Sequence, residues 1–268
     1  MSKFGRKGKS WQEKFAAERK NTRLRIKGEK VDIDYSKTKE FFDSRENKYN
    51  EEHPYVTTMY QDAHPQLTDE RNRAEVEKIL PLLELGSTSR ILDLGCGIGR
   101  WADAIQCGVE GYLGVDFSKG FIEIAKKRNR KSTFEFVQMS VCDFGEYFRT
   151  HGLQPFNRLI AAGILIYLND SDVEALFQLL PEILAPDAIA YLREPVGVQE
   201  RLTLRDFFSQ ELNHDYHTIY RTAEEYCSIM KKAAPDFKIL QSGFLFDRPQ
   251  LNNRQETSQY YYLIKRMR

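Results

Sequence analysis

The sequence predicts an α/β fold with a doubly wound, mostly parallel sheet of seven strands. From residue 90 onward, short apolar segments alternate with amphipathic ones, as strands and helices do around a parallel sheet. The apolar segments show little polar alternation, which is typical of strands covered on both faces. Near the end, 237–246 and 258–265 are strand-like and flank a polar turn, so they predict an antiparallel hairpin that closes the sheet.

Composition limits the class of protein. The chain has 268 residues, 41% of them hydrophobic and 29% charged, which fits one α/β domain with appendages and excludes wholesale disorder. No apolar run is long enough for a transmembrane helix, and the basic N-terminus lacks the apolar core of a secretory signal. The four cysteines show no C-x-x-C spacing. We therefore expect a reduced, cytoplasmic protein.

The N-terminal part precedes the strand–helix alternation. Residues 1–40 are predicted to be a basic extension and 41–67 a cap segment, in which two His-Pro pairs oppose a continuous helix. A helix is predicted to start at Thr68 or Asp69, either of which can cap it, and Pro81 should kink or shorten it. The remaining residues, 68–268, form the main domain, with a lid inserted at about 194–232.

Each element of the main domain follows from an apolar segment or a helical periodicity. The predicted parallel strands are Arg90–Leu94, Tyr112–Val115, Phe134–Gln138, Arg158–Ala161 and Ala188–Leu192. The predicted helices between them are Arg100–Cys107, Lys119–Arg128 and Ser171–Leu184.

Charge is distributed unevenly along the chain. Residues 1–30 contain eleven basic and three acidic residues, a net charge of +8, whereas the whole chain carries +1. A basic arm on an acidic body is typical of proteins that bind a polyanion such as nucleic acid, but a solvated tail is the commoner explanation. Nucleic acid is therefore a less favoured partner.

A glycine-rich segment follows the first parallel strand. Residues 91–100 read ILDLGCGIGR, so a G-x-G-x-G turn opens a helix at the carboxyl edge of the sheet, where open α/β sheets bind ligands. Arg100 stands where a dinucleotide fingerprint needs its last glycine. Asp116 ends the second strand, where a carboxylate can accept hydrogen bonds from both ribose hydroxyls. This pattern favours a nucleoside without a pyrophosphate.

With these residues, the chain resembles the class I S-adenosylmethionine-dependent methyltransferases. LDLGCGIGR is similar to their first motif and GVDFS to their second, and the resemblance covers roughly residues 68–193 and the final hairpin. It implies S-adenosylmethionine as cofactor and S-adenosylhomocysteine as product, with 68–268 as the methyltransferase domain. The cofactor-binding residues that it implies are Arg73, Asp93, Gly95, Cys96, Gly97, Gly99, Asp116, Phe117, Ser118, Ser140, Val141, Ala162 and Gly163.

Two kinds of observation bear on the methyl acceptor: motifs of other methyltransferase classes that are absent from the sequence, and polar residues outside the strand–helix alternation. Residues 161–164 read AAGI, which differs from the Asn/Asp-Pro-Pro-aromatic turn of enzymes that methylate base nitrogens, and no acidic cluster indicates a metal site. A proton acceptor is expected among His53, His64, His214, His217 and Glu194. The candidate substrate-binding residues are Tyr60, Tyr167, Arg193, Tyr216, Tyr220 and Arg221.

Together these observations predict methyl transfer to an oxygen or nitrogen of a small molecule, for which a loose resemblance to bacterial enzymes suggests a sugar or a natural-product intermediate. One alternative is an RNA or protein methyltransferase that uses the basic arm. Two others are an NAD-dependent dehydrogenase, disfavoured by Arg100, and a non-catalytic nucleoside-binding module.

Overall fold

The computed structural model describes residues 24–252 and 254–267, which contain ten strands in two sheets. In chain order the strands are β1 (Arg25–Lys27), β2 (Arg90–Leu94), β3 (Gly111–Asp116), β4 (Phe134–Gln138), β5 (Phe156–Ala162), β6 (Leu184–Gly197), β7 (Leu202–Ser209), β8 (His214–Tyr220), β9 (Phe237–Phe244) and β10 (Thr257–Arg266). The strands that the sequence predicts belong to the larger of the two sheets.

Eight α-helices connect or cover these strands in the described part of the chain. They are α1 (Tyr35–Arg45), α2 (Val56–Met59), α3 (Pro65–Ile79), α4 (Arg100–Ala104), α5 (Lys119–Arg128), α6 (Phe144–Thr150), α7 (Asp170–Ile183) and α8 (Ala223–Ala233). Helix α6 was not predicted from the sequence, because its seven residues are too few to show a clear helical period.

The larger sheet has seven strands in the order β4-β3-β2-β5-β6-β10-β9. Strands β2 to β6 are parallel, and β10 runs antiparallel to both β6 and β9. The predicted doubly wound sheet with a closing antiparallel hairpin is therefore confirmed. Because the order reverses between β2 and β5, a crevice opens at the carboxyl ends of these strands, next to residue 95.

Two apolar clusters fill the two faces of this sheet. In β2, Leu92 and Leu94 face the cluster that contains Phe177 of α7, whereas Ile91 faces the cluster that contains Trp101 of α4. All three β2 side chains are fully buried. Side chains alternate between the faces of a strand, so a strand must be apolar on both sides when helices cover both.

A second sheet of three antiparallel strands, in the order β1-β7-β8, lies outside the parallel core. Its residues Leu204 and Tyr216 share a third apolar cluster with Phe41 and Phe42 of α1. The small sheet and α1 thus cover the parallel sheet as one unit. Strand β1 and the start of α1 fall within 1–40, the stretch expected to be an extension, while residues 1–23 lie outside the described part.

The region expected to be a lid, about 194–232, contains three different features. Strand β6 continues to Gly197, the hairpin β7–β8 belongs to the small sheet, and α8 packs against α7 beside the parallel sheet. Helix α8 begins with a capping box, in which Thr222 and Glu225 exchange side-chain and backbone hydrogen bonds.

Helix α3 begins three residues before the predicted Thr68. Pro65 occupies its first turn, where the missing N–H of proline costs no hydrogen bond, and the Thr68 hydroxyl donates instead to the Pro65 carbonyl at 2.7 Å. The α-helix ends at Ile79 and tightens into a 3-10 turn, Leu80–Leu83, as the prediction from Pro81 required.

Candidate active site

The glycine turn, Gly95–Gly99, connects β2 to α4 and has three residues in the left-handed region. Gly95, Gly97 and Gly99 have φ of +71°, +54° and +80°. A Cβ added to Gly95 would lie 2.9 Å from the Cβ of Ile164, and one added to Gly97 would lie 2.9 Å from Thr58 Cγ2. Both the backbone conformation and the close packing therefore require glycine in this turn.

Asp116, at the end of β3, is joined to the glycine turn by its side chain. Its Oδ2 accepts the Gly97 N–H at 2.9 Å, and its Oδ1 accepts the Ser118 N–H at 2.9 Å. Burial raises the pKa of Asp116 to about 6, despite these two hydrogen bonds. Each carboxylate oxygen can accept a further hydrogen bond, so this side chain is suited to a pair of ribose hydroxyls.

Asp93, on β2, is a second buried carboxyl next to the glycine turn. It accepts the hydroxyl proton of Tyr112. Burial raises the pKa of Asp93 to about 7, although the Tyr112 hydrogen bond and the charge of Arg100 oppose this shift. The carboxyl group is therefore partly protonated at neutral pH.

One cavity of about 280 Å³ extends from the glycine turn to the small sheet. It brings together thirteen of the residues predicted to bind cofactor or substrate, from segments far apart in the chain. They are Tyr60, Asp93, Gly95, Cys96, Gly97, Asp116, Phe117, Ala162, Gly163, Tyr167, Arg193, Tyr216 and Tyr220.

Three tyrosines of this cavity form the tyrosine group, Tyr60, Tyr167 and Tyr216. The hydroxyl of Tyr167 is 2.8 Å from that of Tyr60 and 2.6 Å from that of Tyr216. Burial raises the pKa of all three phenols, so at neutral pH they are uncharged hydrogen-bonding groups. Tyr60 and the next residue, Gln61, both have positive φ, an uncommon conformation that places both side chains on the cavity wall.

The N-terminal segment 35–64 covers the glycine turn and the start of α5. Glu46 accepts hydrogen bonds from the Ser118 hydroxyl at 2.9 Å and from the Gly120 N–H at 3.0 Å, at the N-terminus of α5. Arg45, which is 1% exposed, donates to the Val56 carbonyl and to Asp62 Oδ2. These bonds hold the segment in a fixed position over the cavity.

Sequence reasoning missed an ion cluster centred on Glu75 of α3. The Glu75 carboxylate is 3.0 Å from Arg100 Nη1 and 3.1 Å from Arg193 Nε, and it accepts the Tyr191 hydroxyl proton at 2.8 Å. Although burial opposes the charged form, Arg100 and Arg193 hold the pKa of Glu75 below its usual value. This cluster fixes two guanidinium groups beside the cavity.

Arg73 is exposed and does not line the cavity, whereas Arg71, which sequence reasoning also missed, is buried and does. The helical period explains the difference. Arg71 lies four residues before Glu75, so both are on the face of α3 that packs against the sheet. Arg73 is two residues from each of them and therefore lies on the opposite side of the helix. The spacing of Thr68, Glu75 and Ile79, all fully buried, was the signal available in the sequence.

The structure does not bring the histidines of the described residues into the cavity. His53 Nδ1 lies 2.6 Å from Asp69 Oδ2, and His64 is exposed just before α3. His214 packs its ring against Phe41, with ring centres 5.6 Å apart. His217 is a buried residue of β8, and its Nδ1 accepts the Asp206 N–H of the neighbouring strand β7. Burial lowers the pKa of His217, which favours the neutral ring.

Glu194 and Arg221 lie behind the cavity wall and hold the turn that carries Tyr167. Glu194 accepts the N–H groups of Ile164 and Leu165 at 3.0 and 2.9 Å, and burial raises the pKa of Glu194 to about 7. Arg221 donates to the carbonyls of Leu165 and Leu168 and pairs with Asp170. Both residues therefore position this turn from behind and do not line the cavity.

Four other predicted cofactor residues take structural positions at or near the sheet edge. Ser118 caps α5, accepting the Phe121 N–H at 3.2 Å, and Gly99 is the last residue of the glycine turn. Ser140 caps a 3-10 turn after β4, and Val141 is buried in the core. The cavity does not extend to these four residues.

Two absences hold for the residues that the structure describes. Over 24–252 and 254–267, no group of three or more His, Cys, Asp or Glu side chains is arranged to hold a metal ion. Within the same ranges, no helix has the length and apolar character needed to cross a membrane.

Residues 91–187 match a family model described as a methyltransferase domain. This match starts in β2 and ends in β6, so it includes the glycine turn and Asp116. Among curated proteins, none matches the sequence at a significant level.

Solved structures share the fold. Phosphoethanolamine N-methyltransferase 1 of Haemonchus contortus, in complex with phosphoethanolamine and S-adenosylhomocysteine, gives a TM-score of 0.61 at 18% identity over 85% of this chain and 49% of that one. The chain thus spans about half the length of that protein. The DhpI complex with S-adenosylhomocysteine gives 0.59 at 14% identity, over 87% and 96% of the two chains.

A third structure with this fold catalyses a different reaction, so the fold alone does not assign an activity. The [4+2]-cyclase SpnF gives a TM-score of 0.54 at 15% identity, over 76% of this chain and 82% of that one. Since one fold hosts several reactions, the assignment depends on the family match and on the residues of the glycine turn. Residues 91–187 are a methyltransferase domain, in a chain with the fold of the class I S-adenosylmethionine-dependent methyltransferases.

Proposed function

We propose that this methyltransferase transfers the methyl group of S-adenosylmethionine to an oxygen or nitrogen atom of a small molecule. The observation that carries the proposal is that the glycine turn and Asp116 line the same cavity, of about 280 Å³, as the tyrosine group. The segment 35–64 and the small sheet cover this cavity. A covered cavity of this size accommodates a small acceptor better than a polynucleotide, which needs an open groove.

On this proposal, one set of residues binds the cofactor and another orients the acceptor. When bound, the cofactor supplies an electrophilic methyl group for an in-line displacement. Asp116 would accept the ribose hydroxyls, and the glycine turn lets the backbone approach the methionine part closely. The tyrosine group would orient the acceptor by hydrogen bonds, while the covering segment excludes water from the transfer.

The placement of the titratable groups supports a nitrogen atom as methyl acceptor as readily as an oxygen atom. No histidine lines the described cavity, and the tyrosine group is uncharged at neutral pH. A neutral amine carries its own lone pair, so it needs no proton acceptor during the transfer step. The Haemonchus contortus protein with the same fold is an N-methyltransferase, which supports a small nitrogen acceptor for this chain as well.

The chief alternative is an RNA or protein methyltransferase that uses the basic arm. Most of that arm, residues 1–23, lies outside the described part of the chain. Of its remaining cations, Arg25 and Lys27 both form ion pairs with Glu256, and Lys27 also lies 3.8 Å from Glu200, so two carboxylates balance their charge. This pairing favours the small-molecule proposal.

Transfer of a tritiated methyl group distinguishes these proposals. The protein is incubated with labelled S-adenosylmethionine and, separately, with a small-metabolite extract, total RNA or total protein. We expect label in the small molecules, and the same rate in a variant whose Lys and Arg residues within 1–23 are replaced by Gln. Label that enters RNA or protein, and that disappears in the arm variant, would contradict the proposal.

A further inference from the structure

The cavity has a second distinctive wall, formed by three arginines from three different elements. Arg71 lies on α3, Arg193 on β6, and Arg254 in the segment that precedes β10. All three line the same cavity as the tyrosine group. We call these three residues the arginine wall. Arg25 and Arg100 also line the cavity, in ion pairs with Glu256 and Glu75. Neither the family match nor the proposed transfer of a methyl group accounts for the three guanidinium groups of the wall.

Hydrogen bonds hold the arginine wall in place. Arg71 Nε donates to the Leu251 carbonyl at 2.9 Å, and Arg193 Nη1 donates to Gln259 Oε1 at 3.2 Å. Arg254 Nη2 lies 2.9 Å from Glu211 Oε2. Since a guanidinium has five N–H donors, Arg193 and Arg254 retain donors beyond the bonds they form to the protein.

Two carboxylates form ion pairs with the wall. Glu75 is shared between Arg193 and Arg100, and Glu211 pairs with Arg254. The other two carboxyl groups on the cavity lining, Asp93 and Asp116, are buried, and burial raises the pKa of each, to about 7 and about 6. The ion pairs thus fix the guanidinium groups of Arg193 and Arg254 without using all of their N–H donors.

The positive charges of the wall repel one another. Burial, reinforced by the charges of Arg254 and Arg193, lowers the pKa of Arg71 to about 10. The group still remains charged at neutral pH. Like charges held close together in a partly buried site destabilise the empty protein, and a bound anion would relieve that repulsion.

One end of the wall, Arg254, lies toward the tyrosine group. Arg254 interacts electrostatically with Tyr220 and Tyr216, which belong to the small sheet. The family resemblance instead assigns the methionine part of the cofactor to Asp93 and the glycine turn. On that assignment, the cofactor carboxylate would lie nearer Arg100, which directly follows the glycine turn, than Arg254.

We propose that the methyl acceptor carries an oxyanion, a phosphate or a carboxylate group, which Arg71, Arg193 and Arg254 bind by charge-assisted hydrogen bonds. This inference rests on the proposed function and names the class of its acceptor. A guanidinium matches the geometry of both groups, because its paired N–H donors meet two oxygens at once.

The test measures oxyanion binding separately from cofactor binding. Inorganic phosphate and acetate are titrated into the full chain, with and without saturating S-adenosylhomocysteine, against sodium chloride of equal ionic strength. The increase in melting temperature gives the affinity for each anion. Calorimetry gives the affinity for S-adenosylhomocysteine in the same preparations. A larger effect of phosphate than of acetate identifies a phosphate ester as the acceptor, and the reverse a carboxylate.

Arg254→Gln is the informative variant, because the Arg254 side chain is 51% exposed and its replacement leaves the core intact. We expect it to weaken oxyanion binding about tenfold, with unchanged affinity for S-adenosylhomocysteine. Arg71→Gln should act in the same direction. Arg248→Gln is the matched control, since Arg248 is exposed in the same segment between β9 and β10 and does not line the cavity.

Three outcomes would overturn the proposal: no anion effect beyond that of chloride, equal oxyanion affinity in wild type and both cavity variants, or displacement of S-adenosylhomocysteine by phosphate. The last outcome would assign the wall to the cofactor carboxylate. Failure to bind S-adenosylhomocysteine at all would instead contradict the proposed function, and a phosphate effect lost in Arg254→Gln would still support the oxyanion site.

Discussion

The two ends of the cavity are constructed differently. The end proposed to bind the nucleoside, called the nucleoside end below, contains the glycine turn and Asp116 and comes from one strand–helix–strand unit, β2 to β3. The acceptor end, with the tyrosine group and the arginine wall, is assembled from α3, β6, β8 and several connecting segments. A local unit leaves a motif in the sequence, whereas an assembled surface leaves residues scattered along it. On the proposed function, cofactor specificity is therefore encoded in one short motif, and acceptor specificity in residues far apart in the sequence.

The largest expected effect tests whether the acceptor end depends on long-range ion pairs. Glu75→Ala would leave Arg100 and Arg193 buried without their carboxylate, since Glu75 is less than 1% exposed and pairs with both. We expect the free energy of unfolding to fall by about 3–5 kcal/mol, measured by urea denaturation. Glu77→Ala, at an exposed position on the same helix, is the control. Equal stability of the two variants would mean that Glu75 does not neutralise the buried arginines.

At the nucleoside end, Asp116→Ala removes the carboxylate expected to bind the ribose. Loss of charge-assisted hydrogen bonds should weaken S-adenosylhomocysteine binding by about 1–3 kcal/mol, measured by calorimetry. Glu123→Ala, at an exposed position on α5, serves as the control. Unchanged affinity in Asp116→Ala would refute the ribose role and remove the basis of the comparison between the two ends.

The pH dependence of cofactor binding gives a second test of Asp116 as the carboxylate that binds the ribose. Burial raises the pKa of Asp116 to about 6, and only its charged form accepts both hydroxyls. Protonation therefore competes with binding as the pH falls below that value. Affinity for S-adenosylhomocysteine should decrease about tenfold for each pH unit well below 6. Asp116→Asn, which cannot titrate, should bind more weakly and lose this dependence; an equally steep profile in it would assign the titration to another group.

The smallest effect is expected at the tyrosine group. Tyr60→Phe removes the hydroxyl that lies 2.8 Å from Tyr167, at a cost of about 1 kcal/mol, or a few-fold in KM for the acceptor. S-adenosylhomocysteine affinity should stay the same, because Tyr60 belongs to the acceptor end. Tyr147→Phe, outside the cavity, is the control for the loss of a phenol hydroxyl. A change in cofactor affinity alone would contradict the separation of the two ends.

The parallel strands and the glycine turn were predictable because each follows from short-range rules. Arg90–Leu94 and Phe134–Gln138 have the predicted bounds, since buried strands are short, apolar and flanked by turns. Helix phase was harder to predict. The sequence predicts Arg73 at the site, whereas Arg71 faces the cavity, because α3 has few apolar residues to mark the side that packs against the sheet.

The histidines illustrate the second limit. His53 and His217 have the chemistry of a proton acceptor, but His53 is bonded to Asp69 and His217 is buried within the small sheet. The sequence shows that a histidine side chain is present, but it does not show which residues that side chain contacts. Glu194 and Arg221 were singled out for their chemistry as well, and the structure places them behind the wall that they support.

The sequence by itself determined the parallel sheet, the closing hairpin and the nucleoside end, because strand periodicity and a glycine turn act over a few neighbouring residues. The tertiary structure alone decided the acceptor end. It brought Arg71, Arg193 and Arg254 to one wall and joined Tyr60 to Tyr167 and Tyr216. Such contacts arise from packing α1, α3 and the small sheet over the crevice, and no short-range rule specifies which distant side chains will meet there.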